Sequence, residues 1–171
     1  MRRSVMASLV VALVLLVPTG AWARGDGWEP LPTPPDVQVA CPEGPVLVHV
    51  VVNKEYVKMT TLPDGTTQLM VTGTLKVQLT NEATGESVLT NPSGPAVGQF
   101  MQELLPNGDF LFQAVGINLI FITPEQAASS GLPVLFTSSG PLQILFTSEG
   151  GVVPIRIPNH LTDWCAVLGL G

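Results

Sequence analysis

From Val46 to Ile157 the chain is written in short stretches whose side chains alternate apolar and polar, each closed by Gly, Pro, Asn or Asp. A period of two is what a β-strand with one buried and one wet face requires, so this pattern restricts the fold more than any other feature. Val46–Val52 is rich in β-branched residues, Glu55–Thr61 follows, and Asp64-Gly65 marks a hairpin before Thr66–Thr72. Leu75, Val77 and Leu79 alternate with Lys76, Gln78 and Thr80, and Asn81–Gly85 is a turn. Ser87–Thr90 reads as a short strand before the break at Asn91-Pro92-Ser93-Gly94-Pro95.

The second half repeats the scheme. Gln99–Leu105 and Phe110–Val115 flank the turn Pro106-Asn107-Gly108-Asp109, which predicts a hairpin. Ile117–Ile122 is a further strand. Thr123-Pro124-Glu125-Gln126 supplies an N-cap, a proline at the first helical position and a capping-box glutamine, with Gly131 to stop the helix. Pro133–Ser138 and Leu142–Ser148 both contain L-F-T-S around Ser139-Gly140-Pro141, which reads as two hairpin-paired strands with similar faces, and Val152–Ile157 is the final strand. Asn159 or Thr162 caps a last turn carrying Asp163, Trp164 and Cys165. Nine or ten short strands with one helical signature predict an all-β fold, a single antiparallel β-sandwich, with a β-barrel as the alternative. A parallel sheet would need crossover helices that this sequence lacks.

The N-terminus reads as an address. Arg2 and Arg3 precede an apolar stretch, Leu9–Val17, and Ala21-Trp22-Ala23 offers small residues for a cut after Ala23, which together describe a secretory signal peptide over 1–23. The apolar run Val5–Val17 is 13 residues, too short for a membrane span of about 20 residues. The paired arginines leave the twin-arginine route open beside the general one. Residues 24–40 are proline-rich and lack periodicity, so they read as an extended, flexible lead to a domain over 41–171. Arg24-Gly25-Asp26 spells an adhesion tripeptide, too short a match to carry an assignment.

Export to an oxidising compartment makes a Cys41–Cys165 disulfide the economical reading of the two cysteines. Closing a loop of this length stabilises by about 5 kcal/mol on the chain-entropy model. A metal site has only His160 and Asp163 to add to Cys165, short of the four ligands of a structural zinc centre. No cofactor motif is present: Gly150-Gly151 precedes a strand instead of a helix, so it builds no phosphate cradle.

Charge narrows the partners. Removing residues 1–23 from 171 leaves 148, with 5 basic residues against 13 acidic ones and a net charge of −8. Arg24, Lys54, Lys58, Lys76 and Arg156 are scattered along the chain and predict no basic stripe, which argues against nucleic acid. Without a second long apolar stretch, stable membrane insertion after signal cleavage is not expected either.

Catalytic candidates are few. His49 shares a strand face with Leu47 and Val51, His160 lies near Asp163, and no G-x-S-x-G elbow surrounds any serine. Glu103 and Asp109 flank a hairpin turn and are the most suggestive carboxylate couple for glycoside chemistry. Phe100, Phe110, Phe112, Phe121, Phe136 and Phe146 either fill a sandwich core or line a cavity for an apolar ligand.

Leu79–Val88 (L-T-N-E-A-T-G-E-S-V), Ser93-Gly94-Pro95 and Asp163-Trp164-Cys165 together resemble small uncharacterised secreted bacterial proteins that carry one cysteine near each end of a β domain. The resemblance implies a fold and a location and transfers no activity. The expectation from the sequence is therefore a secreted, extracellular, non-enzymatic β-sandwich without catalytic residues, cofactor or metal, recognising a protein or an envelope component. The alternative is a β-barrel carrier of a small apolar ligand.

Overall fold

The computed structural model describes residues 27–92 and 100–171, without the side chains of Phe100 and Met101. The signal peptide, the cut after Ala23 and the Arg24-Gly25-Asp26 tripeptide lie outside the described residues. Strands make up 56% of the fold, all pairing is antiparallel, and the sheets do not close into a barrel. The strands are β1 (Glu29–Pro30), β2 (Val37–Cys41), β3 (Gly44–Thr61), β4 (Thr67–Asn81), β5 (Ser87–Thr90), β6 (Phe100–Leu104), β7 (Phe110–Ala114), β8 (Ile117–Phe121), β9 (Leu135–Ser139), β10 (Leu142–Phe146), β11 (Val152–Arg156) and β12 (His160–Asp163). Helices α1 (Pro124–Ser130) and α2 (Trp164–Val167) complete the set, one more than the sequence predicts.

Nine strands form one sheet in the order β1-β3-β4-β6-β7-β10-β11, with β2 also on β3 and β5 also on β4. The other three form a small sheet, β12-β9-β8. At the centre of the small sheet, Leu135 and Phe136 are consecutive, project from opposite faces of β9 and are both fully buried. Leu135 joins a core with Val39, Val46, Val48, Val77, Leu79 and the Cys41–Cys165 bridge. Phe136 joins a second core with Phe112, Ile120, Leu142, Ile144 and Val152. Both cores draw on the inner face of the large sheet, so that sheet folds around the small one.

The bend is built into the long β3–β4 hairpin, which the sequence reads as two pairs of shorter strands. Its register shifts between Val50 and Val52, so Val51 is an extra residue that β4 does not match. The bulge inverts the alternation: Val46, Val48 and Val50 face inward before it, whereas Asn53, Glu55 and Val57 oppose the inner-face positions Leu75, Gly73 and Val71 after it. Gly73 has φ 133°, and a Cβ there would lie 2.2 Å from the Lys54 carbonyl oxygen, so only glycine lets the strands pass this closely.

Two further expectations are corrected. The two L-F-T-S strands do not pair: β9 lies in the small sheet and β10 in the large one, because Gly140, at φ 108°, and Pro141, which lacks an N–H, carry the chain between sheets. Over its described part, 27–40, the lead is held to the sheet, since β1 and β2 pair with β3, Leu31 donates its N–H to the Glu55 carbonyl at 2.9 Å, and Asn53 Nδ2 donates to the Leu31 carbonyl at 2.9 Å. The prolines between β1 and β2 deny it a continuous ladder; paired backbone on either side holds it to the sheet.

Local signals act as read. Thr123 caps α1 by accepting from the Gln126 N–H while the Gln126 side chain accepts from the Thr123 N–H, and Gly131 ends the helix in the left-handed region at φ 72°. At the C-terminus the cap of α2 is Asp163, not Asn159 or Thr162, because β12 carries extended backbone as far as Asp163. Buried Asn81 donates to the Leu168 carbonyl at 3.0 Å and accepts from the Ala83 N–H at 2.9 Å, tying the β4–β5 turn to the last residues of the chain.

Candidate functional site

The cysteines meet as expected: Cys41 closes β2, Cys165 sits in α2, and their Cα atoms are 5.6 Å apart across a separation of 124 residues. Both are buried, so the bridge serves as a staple between the first and last parts of the domain. Trp164 packs against the same core, and its indole nitrogen is buried without a hydrogen-bond partner in the described structure.

The catalytic candidates lie apart, each engaged in a local role. His49 projects outward from β3 with its Nδ1 2.7 Å from the Asp36 Oδ1 of the lead, an exposed pair worth little to stability. His160 is exposed on β12, whereas the nearby Asp163 carboxylate accepts from the Ala166 N–H at 3.2 Å as a helix cap. Glu103 accepts from Gln68 Nε2 at 2.8 Å within the sheet. Asp109 accepts from the Ser148 N–H at 2.9 Å and from Asn107 Nδ2 at 2.9 Å. The Ser148 N–H holds the Asp109 carboxyl below its ordinary range, which favours the ionised form and opposes a proton-donating role. Among the described residues no three His, Cys, Asp or Glu side chains converge to hold a metal ion.

The phenylalanines largely fill the cores. Phe112 and Phe136 are buried, and Phe110 and Phe146 meet in a tilted pair beside them, 5.6 Å between ring centroids. Phe121 is exposed, and the side chain of Phe100 lies outside the described residues.

A carboxylate that alternation alone does not flag is Glu55. The bulge at Val51 turns it to the inner face opposite Gly73, where burial raises its carboxyl to about 7. Continued alternation from Val46 would have placed it in solvent.

The outer face of the large sheet is the feature that stands out. Every described position of the strands that points outward is exposed or half-exposed, while the buried strand residues point inward. Lys54 opposes Thr74, Lys58 opposes Met70, Lys76 opposes Val52 and Arg156 opposes Gln143, so all the described lysines and arginines project from this one face. The sequence expectation of scattered, unconnected cations is thereby corrected, because strand register gathers residues that are far apart in the chain. Most carboxylates lie off the outward ladder: Glu43, Asp64, Glu82, Glu86, Asp109 and Glu149 lie in turns and Glu125 in α1, while Glu103 is the one acid within the outward ladder of the described strands, Glu29 opposes Val57 from β1, and Asp36 reaches the face from the lead to pair with His49. No described carboxylate forms an ion pair with any of these four cations.

At the far side of this face, the row Val153–Leu145–Leu111 adjoins the row Arg156–Gln143–Gln113, in which Gln143 donates to Gln113 at 2.9 Å. A shallow groove of about 360 Å³ opens there between Met70, Val115, Pro141 and Arg156. The edge strand β11 is protected from pairing with other chains, since Pro154 lacks an N–H and the register shift leaves Ile155 unmatched. Contacts on this surface would therefore run through side chains.

No protein-family model, curated protein or solved structure matches this chain.

Proposed function

We propose that the protein is an exported, non-enzymatic β-sandwich module that acts by surface recognition of a protein or an envelope component. The observation that carries this reading is the outer face of the large sheet, open along its length and holding the described cations, next to packed cores. A site built on ladder-held strands presents its side chains with little loss of backbone freedom on binding. The buried disulfide supports an oxidising destination, and no helix among the described residues is long and apolar enough to cross a membrane.

Native mass spectrometry of the chain recovered from the medium of an expressing culture tests the reading. An apo species beginning at Arg24, lighter by the two hydrogens of one disulfide, is expected. Extra mass from an extractable apolar molecule would replace recognition with the carrier alternative.

A further inference from the structure

We propose that the outer face of the large sheet binds an acidic polysaccharide, along the stripe formed by Lys54, Tyr56, Lys58 and Lys76. This rests on the surface-recognition reading above and names the partner's chemistry. Lys54, Tyr56 and Lys58 occupy alternate outward positions of β3, so the Cα atoms of the two lysines are about 13 Å apart along the strand with Tyr56 at the position between them. Lys76 lies diagonally across from Lys54, about 7 Å away on the neighbouring strand. Lys54, Lys76 and Tyr56 are exposed and Lys58 is half-exposed.

The chain as a whole is acidic, but net charge does not govern this face. Charges separated by more than about 8 Å are largely screened at physiological ionic strength, and the carboxylates in the turns sit at the ends of the strands. Of the acids that flank β3, Glu29 opposes Val57 and Asp36 is held by His49, and no described carboxylate forms an ion pair with Lys54, Lys58 or Lys76, which leaves the three ammonium groups open to a bound anion.

The surroundings of the stripe select the kind of anion. Thr72 opposes Tyr56 and Thr74 opposes Lys54, with Gln68 and Gln78 further along β4, so hydroxyl and amide groups lie among the charges together with Met70 and Val52, which oppose Lys58 and Lys76. Sugar hydroxyls bind such groups, and the apolar face of a pyranose suits an exposed tyrosine ring that offers both a flat apolar surface and a hydroxyl. A single-stranded nucleic acid would call for several stacking aromatics, whereas the described outward positions carry Tyr56 alone. A lipid surface would call for a continuous apolar patch among the cations; Val52 and Met70 oppose Lys76 and Lys58 but are only half-exposed and are separated along the face by Thr72 and Thr74, and the exposed Leu89, Val153 and Ile155 lie on β5 and β11, away from the Lys54–Lys58 part of the stripe.

Calorimetric titration of the exported chain with alginate, a polyuronate, tests the proposal, with dextran, poly(dT) and phosphatidylglycerol vesicles as comparisons. The expected result is binding to alginate and none to dextran, with affinity falling about tenfold between 50 and 200 mM salt as counterions compete. Lys54→Gln/Lys58→Gln/Lys76→Gln should melt like the parent and lose at least tenfold in affinity. Tyr56→Ala should lose a few-fold with an unchanged salt slope, which separates ring stacking from charge. Alginate binding no tighter than dextran, tighter binding to poly(dT) or vesicles, or full affinity in the triple variant would each overturn the proposal. Should alginate fail while the exported chain is an apo species, the partner class alone falls; a copurified apolar molecule removes the recognition reading beneath it.

Discussion

Replacing Gly73 by alanine probes the bend on which the two-core architecture depends. The new Cβ would stand 2.2 Å from the Lys54 carbonyl oxygen and 2.6 Å from the Glu55 Cα, both backbone atoms that no rotamer change can move. A carbon–oxygen contact settles near 3.3 Å, so β3 and β4 must open by about 1 Å here. Forcing alanine to φ 133°, or shifting the backbone to avoid it, costs about 1–3 kcal/mol. Weakening the two nearest ladder hydrogen bonds adds about 1 kcal/mol each, for a total of about 3–5 kcal/mol. At about 3 °C per kcal/mol for a domain of this size, thermal denaturation of the oxidised protein followed by circular dichroism should show a Tm lower by about 10–15 °C. Gly65→Ala is the control: that residue also has positive φ, 88°, but nothing lies within 4 Å of its Cβ position. It should cost only about 1 kcal/mol. If Gly73→Ala is as mild as Gly65→Ala, close strand passage is not what requires glycine at position 73.

Two other perturbations address the staple and the buried acid. Cys165→Ala should lower stability by several kcal/mol, up to about 5 kcal/mol, and an unchanged melting curve in the oxidised protein would show that the bridge contributes nothing. Glu55 keeps its proton in the folded protein up to about 7, against 4.5 in the unfolded chain. Between those values the folded state binds more protons, so stability is fully present below pH 4.5 and falls as pH rises to 7. The span corresponds to at most about 3 kcal/mol, nearer half that after discounting for solvent contact. Glu55→Gln should flatten the pH dependence of urea midpoints across this window; an unaltered profile would mean that another group carries it.

What the sequence made legible was local. Thr123, Pro124, Gln126 and Gly131 carry the whole instruction for α1 within nine residues, and Asp64-Gly65 and Asn107-Gly108 place their hairpin turns without reference to distant partners. What stayed hidden depends on pairing between remote strands. Alternation through Val46–Val52 gives no sign that Val51 goes unmatched, because a bulge is defined by the partner strand, and every inward assignment after it changes parity. The repeated L-F-T-S reads as a hairpin since nothing in it reports that Gly140-Pro141 crosses between sheets. The candidate site was illegible for the same reason: Lys58 and Arg156 are almost a hundred residues apart, and only the chain of register through β4, β6, β7 and β10 sets them in one row.

Side-chain NMR of the oxidised protein during an alginate titration distinguishes recognition on the outer face from binding inside the sandwich. Binding on the outer face should shift the ε-methylene groups of Lys54, Lys58 and Lys76 and the methyls of Thr72 and Thr74, with the buried methyls of Leu79, Leu135 and Ile144 unmoved. Shifts concentrated at those buried methyls, or an outer face that stays silent, would contradict it.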